Sequence, residues 1–241
     1  MVQEMKSATD KNKLQPKSEW VVIPAFNEEY AIKKSVEGLK HYFNNIIVVD
    51  DCSTDATGKI AKETGALVLR HALNLGQGAA LHTGVQYAIK FKQASEIIMF
   101  DADGQHRPLD AKNMLDELRA NNLDVILGSR FIAGKPKTIP KIRLVLLQLA
   151  IKFTQLTTKL EVSDTHNGLR VFSAKAYSKL SLFENRMAHA SEILKQIKIQ
   201  ELNFTEFQTE IDYSTYSLSK GQRSIDAINV LVDLFTSRLL K

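Results

Sequence analysis

Between residues 19 and 129, short apolar runs alternate with stretches whose apolar positions recur every three or four residues. The runs are EWVVIP (19–24), NIIVVD (45–50), ALVLR (66–70), EIIMFD (96–101) and DVILGS (124–129). They are rich in Val, Ile and Leu and too short for helices, so each predicts a buried strand. The intervening periodicity predicts helices near 29–42, 54–64, 77–91 and 108–120. Regular alternation of this kind predicts an α/β fold, a mostly parallel sheet with helices on both faces.

Residues at the element boundaries point the same way. Ser53, Thr54 or Asp55 can cap the second helix, Pro108 fits the first turn of the fourth, and Gly65 fits just beyond a helix end.

Beyond residue 130 the alternation stops. FIAGKPKTIPKIR (131–143) is a basic loop with two prolines, and a long helical stretch follows from about 141 to 160. Residues 170–212 have room for one or two further strands and short helices. The chain closes on an amphipathic pattern with Ile225, Ile228, Val232, Phe235 and Leu239 at helical spacing. The first 17 residues are polar and aperiodic. The expected organisation is therefore a disordered arm (1–17), one domain (18–221) and a closing amphipathic helix (222–241).

Composition changes this picture little. With 44% hydrophobic and 24% charged residues in 241, the chain reads as an ordinary soluble globular protein. Its 32 Lys and Arg against 27 Asp and Glu leave a net charge of +5, which suits an anionic ligand or a membrane surface. No nucleic acid partner is expected. Cys52 is the sole cysteine, so no internal disulfide can form. No apolar window has the length of a membrane span, and no secretory pattern follows the first Met. A cytoplasmic protein is expected, peripheral to the membrane if it meets one.

Candidate chemistry sits at the strand ends, where open parallel sheets bind their ligands. Three of them carry carboxylates: PAFNEE (24–29), DDCSTD (50–55) and DADGQH (101–106). Asp101 and Asp103, one residue apart after a buried strand, would repel unless a cation lay between them. Mg²⁺ or Mn²⁺ takes oxygen ligands and keeps positions open for phosphate, and Gln105 can add a neutral oxygen or hold a metal-bound water. NLGQGAALHTG (74–84) lacks both the dinucleotide glycine order and a Walker lysine, and reads as a turn opening a helix packed close to the sheet.

Six motifs occur together and in order: VVIPAFNEE, IIVVDDCSTDAT, NLGQGAALHTG, IIMFDADGQHRP, VILGSRF and DTHNGLRVF. Together they resemble family 2 glycosyltransferases of the GT-A fold over about residues 18–220, in particular the dolichyl-phosphate or polyprenyl-phosphate sugar synthase branch. The resemblance implies a Rossmann-like sheet with helices on both faces and C-terminal helices on the acceptor side. It also implies that Pro24, Ala25, Asn27 and Glu28 line the nucleotide, with Asp51 near its base or ribose. Asp101, Ala102, Asp103 and Gln105 then match the metal and diphosphate motif, and Arg130, Arg143 and Lys220 match positions that hold phosphates of donor or acceptor. Cys52 stands where Gly is usual, Gln77 where Lys is frequent, THNG where a Thr-Ser pair commonly precedes Gly, and Tyr216 near where an Arg is common.

The implied activity is inverting, metal-dependent sugar transfer from a GDP- or UDP-linked donor. A polyprenyl phosphate acceptor needs the three cations, whereas a glycan hydroxyl needs a general base, for which Asp164 and Glu192 are the candidates. A non-catalytic nucleotide-sugar-binding subunit is the alternative of another class. The stretch 144–160 and the closing helix combine an apolar stripe with basic residues, as interfacial helices do. The pattern leaves a membrane surface, a homodimer face and a membrane-protein partner open for them.

Overall fold

The computed structural model describes residues 18–134, 148, 151–152, 154–156, 158–165 and 167–212. Seven strands form one sheet: β1 (Glu19–Ala25), β2 (Ile46–Asp50), β3 (Leu67–Arg70), β4 (Glu96–Met99), β5 (Val125–Ser129), β6 (Arg170–Ser173) and β7 (Phe204–Gln208). Between them lie α1 (Ile32–Lys40), α2 (Thr57–Glu63), α3 (Gln77–Lys92), α4 (Pro108–Ala120), α5 (Ala174–Tyr177) and α6 (His189–Ile199). The strand order is β3-β2-β1-β4-β6-β5-β7, and β6 alone runs antiparallel to its neighbours. The first five strands and four helices fall where the hydrophobic pattern places them. Of the stretch 141–160, residues 148, 151–152, 154–156 and 158 are helical. The arm 1–17 and the closing helix 222–241 lie outside the described residues.

Successive residues of a strand point to opposite faces, and the core divides accordingly. Val22, Val49 and Met99 pack with Leu81 and Val85 of α3, Tyr177 of α5 and Ile193 of α6. Val21, Ile23 and Ile98 pack on the other face with Ile32 and Leu39 of α1 and Met114 and Leu115 of α4. Each of these aliphatic side chains gains roughly 1.5–3 kcal/mol from complete burial. The turn expected at 74–84 does open a helix held tightly to the sheet. A Cβ on Gly84 would stand 2.4 Å from Val22 Cγ1 and 2.9 Å from Val49 Cγ2, so α3 approaches closer than a side chain there allows.

The boundary chemistry is realised with one shift. Gly65, at φ +82°, follows the end of α2, and Pro108 opens α4. Asp55 caps α2 from one residue further out than the usual position, accepting the Thr57 N–H at 3.0 Å while Ala56 holds the cap itself. Among the described residues no helix is long and apolar enough to cross a membrane.

Strand order reverses direction at β1, with β2 on one side and β4 on the other, and such a switch point opens a crevice beyond the strand ends. Pro24 helps to open it. The Val22 carbonyl points toward β4 and accepts the Phe100 N–H at 3.0 Å. Two residues on, Pro24 faces the same way with no N–H to donate, past the last β1–β4 pair at Val22–Met99.

Candidate active site

The loops after β1 and β2 form one wall of the crevice. The Asn27 N–H donates to Ser53 Oγ at 3.0 Å, and Asn27 Oδ1 accepts the Thr54 N–H at 2.9 Å. The Glu28 N–H donates to Thr57 Oγ1 at 2.7 Å. Glu29 and Asp55 segments exchange bonds, with the Glu29 N–H on Asp55 Oδ2 at 3.2 Å and the Ala56 N–H on Glu29 Oε2 at 3.1 Å. Asn27 and Cys52 take the left-handed conformation, at φ +54° and +64°, where each chain turns sharply. Cys52 is thus a side chain at a backbone position that favours glycine.

Asp51 lies behind this wall, only 2% exposed. Its Oδ1 accepts the Leu75 N–H at 2.9 Å and its Oδ2 the Gly76 N–H at 2.7 Å. His71 Nδ1 lies 2.7 Å from the same Oδ1, and its Nε2 lies 2.9 Å from Thr83 Oγ1. Its carboxylate therefore fixes the 71–76 loop and the start of α3. The preceding Asp50, fully buried, pairs with Arg70 and accepts the Ser53 N–H at 2.8 Å.

At the end of β4 the two aspartates differ in their surroundings. Asp101 is gripped from both sides: Gln77 Nε2 donates to Oδ1 at 2.9 Å and His106 Nε2 to Oδ2 at 3.2 Å. Burial alone would raise its carboxyl, but the His106 hydrogen bond and the nearby Arg170 charge hold it below the ordinary carboxylate range. Asp103 accepts the Gln105 N–H on Oδ1 at 3.0 Å. Burial first, and then the charge of Asp101, push its carboxyl up to about 6. Ala102, 5% exposed, is anchored between them by Ser35 Oγ, which donates to its carbonyl at 2.9 Å.

The reversed strand β6 brings a second segment to this edge. A Cβ on Gly168 would stand 2.0 Å from Asp101 Oδ2, so only glycine lets the carboxylate lie there. Arg170 is 4% exposed and donates a long hydrogen bond, Nη2 to the Thr165 carbonyl at 3.4 Å. Burial lowers its guanidinium to about 10, against the opposing fields of Asp101 and Asp164. It is a fixed positive charge near Asp101.

Asp164 accepts from Arg130 Nε at 2.6 Å and Nη2 at 2.7 Å, and both residues are buried. Glu192, in the first turn of α6, takes the Phe183 N–H at 3.0 Å and the Glu184 N–H at 2.9 Å. Both carboxylates expected as general bases are thus engaged by protein donors, and the Arg130 fork expected at a phosphate holds Asp164. Arg143, Lys220, Tyr216 and His166 lie outside the described residues.

Gln77, His106, Gly168, Arg170 and His189 gather around Asp101 without having been singled out as site residues. The signal for four of them was present, since Gln77, His106, Gly168 and Arg170 all fall inside the six ordered motifs.

The donor set suits a hard divalent cation. Two carboxylates at one strand end, one with its charge disfavoured by the other, supply oxygen ligands for an ion that also takes phosphate. Among the described residues no group of three or more His, Cys, Asp and Glu side chains forms a metal cage.

Comparison with known proteins agrees with this geometry. A UDP-N-acetylglucosamine–dolichyl-phosphate N-acetylglucosaminyltransferase of Methanococcus voltae is 32% identical over 244 residues, covering 92% of this chain and 96% of its own. An uncharacterized protein of Methanocaldococcus jannaschii is 36% identical over 225 residues, covering 91% and 92%. A polyprenol monophosphomannose synthase of Mycolicibacterium smegmatis is 29% identical, covering 67% and 64%. Among solved structures, glucosyl-3-phosphoglycerate synthase of Mycobacterium tuberculosis, in complex with Mn²⁺, UDP and phosphoglyceric acid, superposes with a TM-score of 0.66 at 18% identity. That match covers 90% of this chain and 78% of the other, and the shared fold is GT-A. Residues 20–181 match the sequence profile of Glycosyl transferase family 2, and with the sheet order and strand-end carboxylates already described, this chain belongs to that family.

Proposed function

We propose that the chain transfers a sugar from a GDP- or UDP-linked donor to a polyprenyl phosphate at a membrane surface, inverting the anomeric carbon, with Mg²⁺ or Mn²⁺ at Asp101 and Asp103. The observation that carries the reading is the asymmetry of that pair. Asp101 is held ionised by Gln77 and His106, and Asp103 is held against its own ionisation by burial and by Asp101. A divalent cation bringing a diphosphate relieves that conflict. When bound, the ion would neutralise the charge left on the departing nucleoside diphosphate.

In this reading Asn27, Glu28 and the ends of Pro24–Ala25 and Ala102 line the nucleotide, and Asp51 fixes the loop behind it. Gln105 would help to hold the metal, directly or through water. The names of the Methanococcus voltae and Mycolicibacterium smegmatis relatives, which include dolichyl phosphate and polyprenol, support the acceptor class. The Mn²⁺ and UDP bound in the Mycobacterium tuberculosis structure support the metal and donor classes.

A lipid phosphate arrives already anionic and needs cations rather than a base. The engagement of Asp164 and Glu192 by protein donors favours it over a glycan hydroxyl. Arg143 and Lys220 are the proposed phosphate cations, while Arg130 is held by Asp164. The proposed location is the cytoplasmic face of a membrane.

Purified protein incubated with radiolabelled nucleotide sugars, Mn²⁺ or Mg²⁺, and undecaprenyl or dolichyl phosphate tests the reading. Label that enters the organic phase only with metal supports it, and no label from any donor overturns it.

A further inference from the structure

Next to Asp101, on the sheet face covered by α3 and α6, lies a cavity of about 150 Å³. α3 begins at Gln77, whose amide donates to Asp101, and the next two residues, Gly78 and Ala79, already line the cavity. Gly78 lets the opposite wall close in, since a Cβ there would stand 2.4 Å from the Glu184 carbonyl oxygen and 2.8 Å from His189 Cβ. On its far side stands His189, near enough to Asp101 for the carboxyl to sense it.

The lining is two-sided. One side is aliphatic, with Leu81, Met99 and Ile193 each 5% exposed or less. The other is polar, with His82, Thr83, Glu184 and Asn185 at its margin and two buried groups of opposite character, His189 and Tyr177. His189, 8% exposed, lies with Nδ1 2.7 Å from the Arg186 carbonyl, which can only accept, so Nδ1 carries the proton. Burial, and then the neighbouring Arg170, lower its pKa to about 4 and keep the ring neutral, leaving Nε2 as an acceptor. Tyr177, 2% exposed, keeps its hydroxyl proton because burial raises its pKa, and its nearest partner, His82 Nδ1, is 3.4 Å away. That distance is long for an O–H donor, so the hydroxyl can turn toward a ligand.

One acceptor, one donor and an apolar wall match a secondary amide bearing a methyl group. The amide N–H meets His189 Nε2, the carbonyl accepts from Tyr177, and the methyl lies on Leu81, Met99 and Ile193. Size agrees: a cavity of about 150 Å³ admits a benzene-sized group, enough for an acetamido substituent but not for a whole solvated hexose. A lone hydroxyl would leave most of that wall facing water or void. We propose that this cavity receives the acetamido group of the donor sugar, so that the donor is an N-acetylhexosamine nucleotide rather than a plain hexose nucleotide. The proposal rests on the reading that Asp101 and Asp103 hold the donor diphosphate.

The test compares UDP-GlcNAc, UDP-glucose and GDP-mannose as donors for the full chain with Mn²⁺ and polyprenyl phosphate, with calorimetric binding of UDP alone as control. A preference in kcat/KM of about 100-fold for UDP-GlcNAc over UDP-glucose is expected, in the range that a methyl-sized apolar group with paired polar atoms confers. Tyr177→Phe is expected to cut that preference about tenfold while binding UDP like the wild type. Ile193→Phe, which fills the cavity without removing a polar group, is expected to do the same. Use of UDP-glucose or GDP-mannose as well as UDP-GlcNAc, or a preference unmoved in both variants, overturns the inference and leaves the proposed function standing. Exclusive use of GDP-mannose also overturns the inference alone, and failure to use any of the three donors with Mn²⁺ overturns both.

Discussion

Arg130 and Asp164 meet as a two-pronged ion pair, Nε to Oδ2 at 2.6 Å and Nη2 to Oδ1 at 2.7 Å, and the Arg130 backbone N–H adds a third bond to the same carboxylate at 3.2 Å. Arg130 is 9% and Asp164 4% exposed, so removing either partner strands a buried charge. Asp164→Ala is expected to lower stability by about 3–5 kcal/mol in denaturant titration. If Asp164→Asn instead loses turnover with an unchanged midpoint, Asp164 is a base and not a strut.

Asp103 carries the opposite sign. Its folded-state pKa of about 6 lies above the ordinary 3.8, so the metal-free folded state gains stability as pH falls through that window and loses it as pH rises. Asp103→Asn is therefore expected to exceed the metal-free wild type by roughly 1–3 kcal/mol at pH 7, with the gap narrowing toward pH 4. Thermal unfolding across that range measures it. The same variant is expected to lose metal-dependent donor binding, and retained binding would place the metal elsewhere.

Two glycine substitutions separate site geometry from packing. Gly168→Ala drives a methyl into the Asp101 carboxylate, and Gly84→Ala drives one into Val22 and Val49. Each is expected to cost about 1–3 kcal/mol as overpacking. Only Gly168→Ala is expected to weaken Mn²⁺-dependent UDP binding, by tenfold or more in calorimetry. Equal affinities in the two variants would mean that Asp101 tolerates displacement.

Cys52 sits at φ +64° with only a 3.4 Å contact from Sγ to the Ala72 carbonyl. Cys52→Gly relieves the left-handed strain and is expected to add about 1 kcal/mol, a rise of roughly 2–4 °C in Tm for a chain of this size. A lower Tm would show that the thiol contact outweighs the backbone strain.

Fold and motif were legible wherever neighbours in sequence decide the outcome. Strands such as 46–50 announce themselves through uninterrupted apolar residues, and Asp101 with Asp103 stands out because two like charges close a buried run. Asp164 and Glu192 could be seen as carboxylates but not as engaged ones, because their partners depend on how the chain returns to the sheet. Arg130 lies 34 residues from Asp164, and Gly168 lies 67 from Asp101. The reversal of β6 that brings Gly168 and Arg170 to the site leaves no mark in an apolar pattern, since RVFS reads the same in either direction of pairing. Cys52 shows the converse: a departure from the usual glycine, visible in the letters, whose meaning appeared only with its φ angle.

The cross-linking of the loops after β1 and β2 has a kinetic meaning. Asn27 with Ser53 and Thr54, Glu28 with Thr57, and Glu29 with Asp55 and Ala56 hold that wall in one conformation before any donor arrives. Little ordering entropy is then left to spend on the nucleotide side. In the proposed reading donor capture there becomes a matter of diffusion and shedding water, with little closing motion left to this wall.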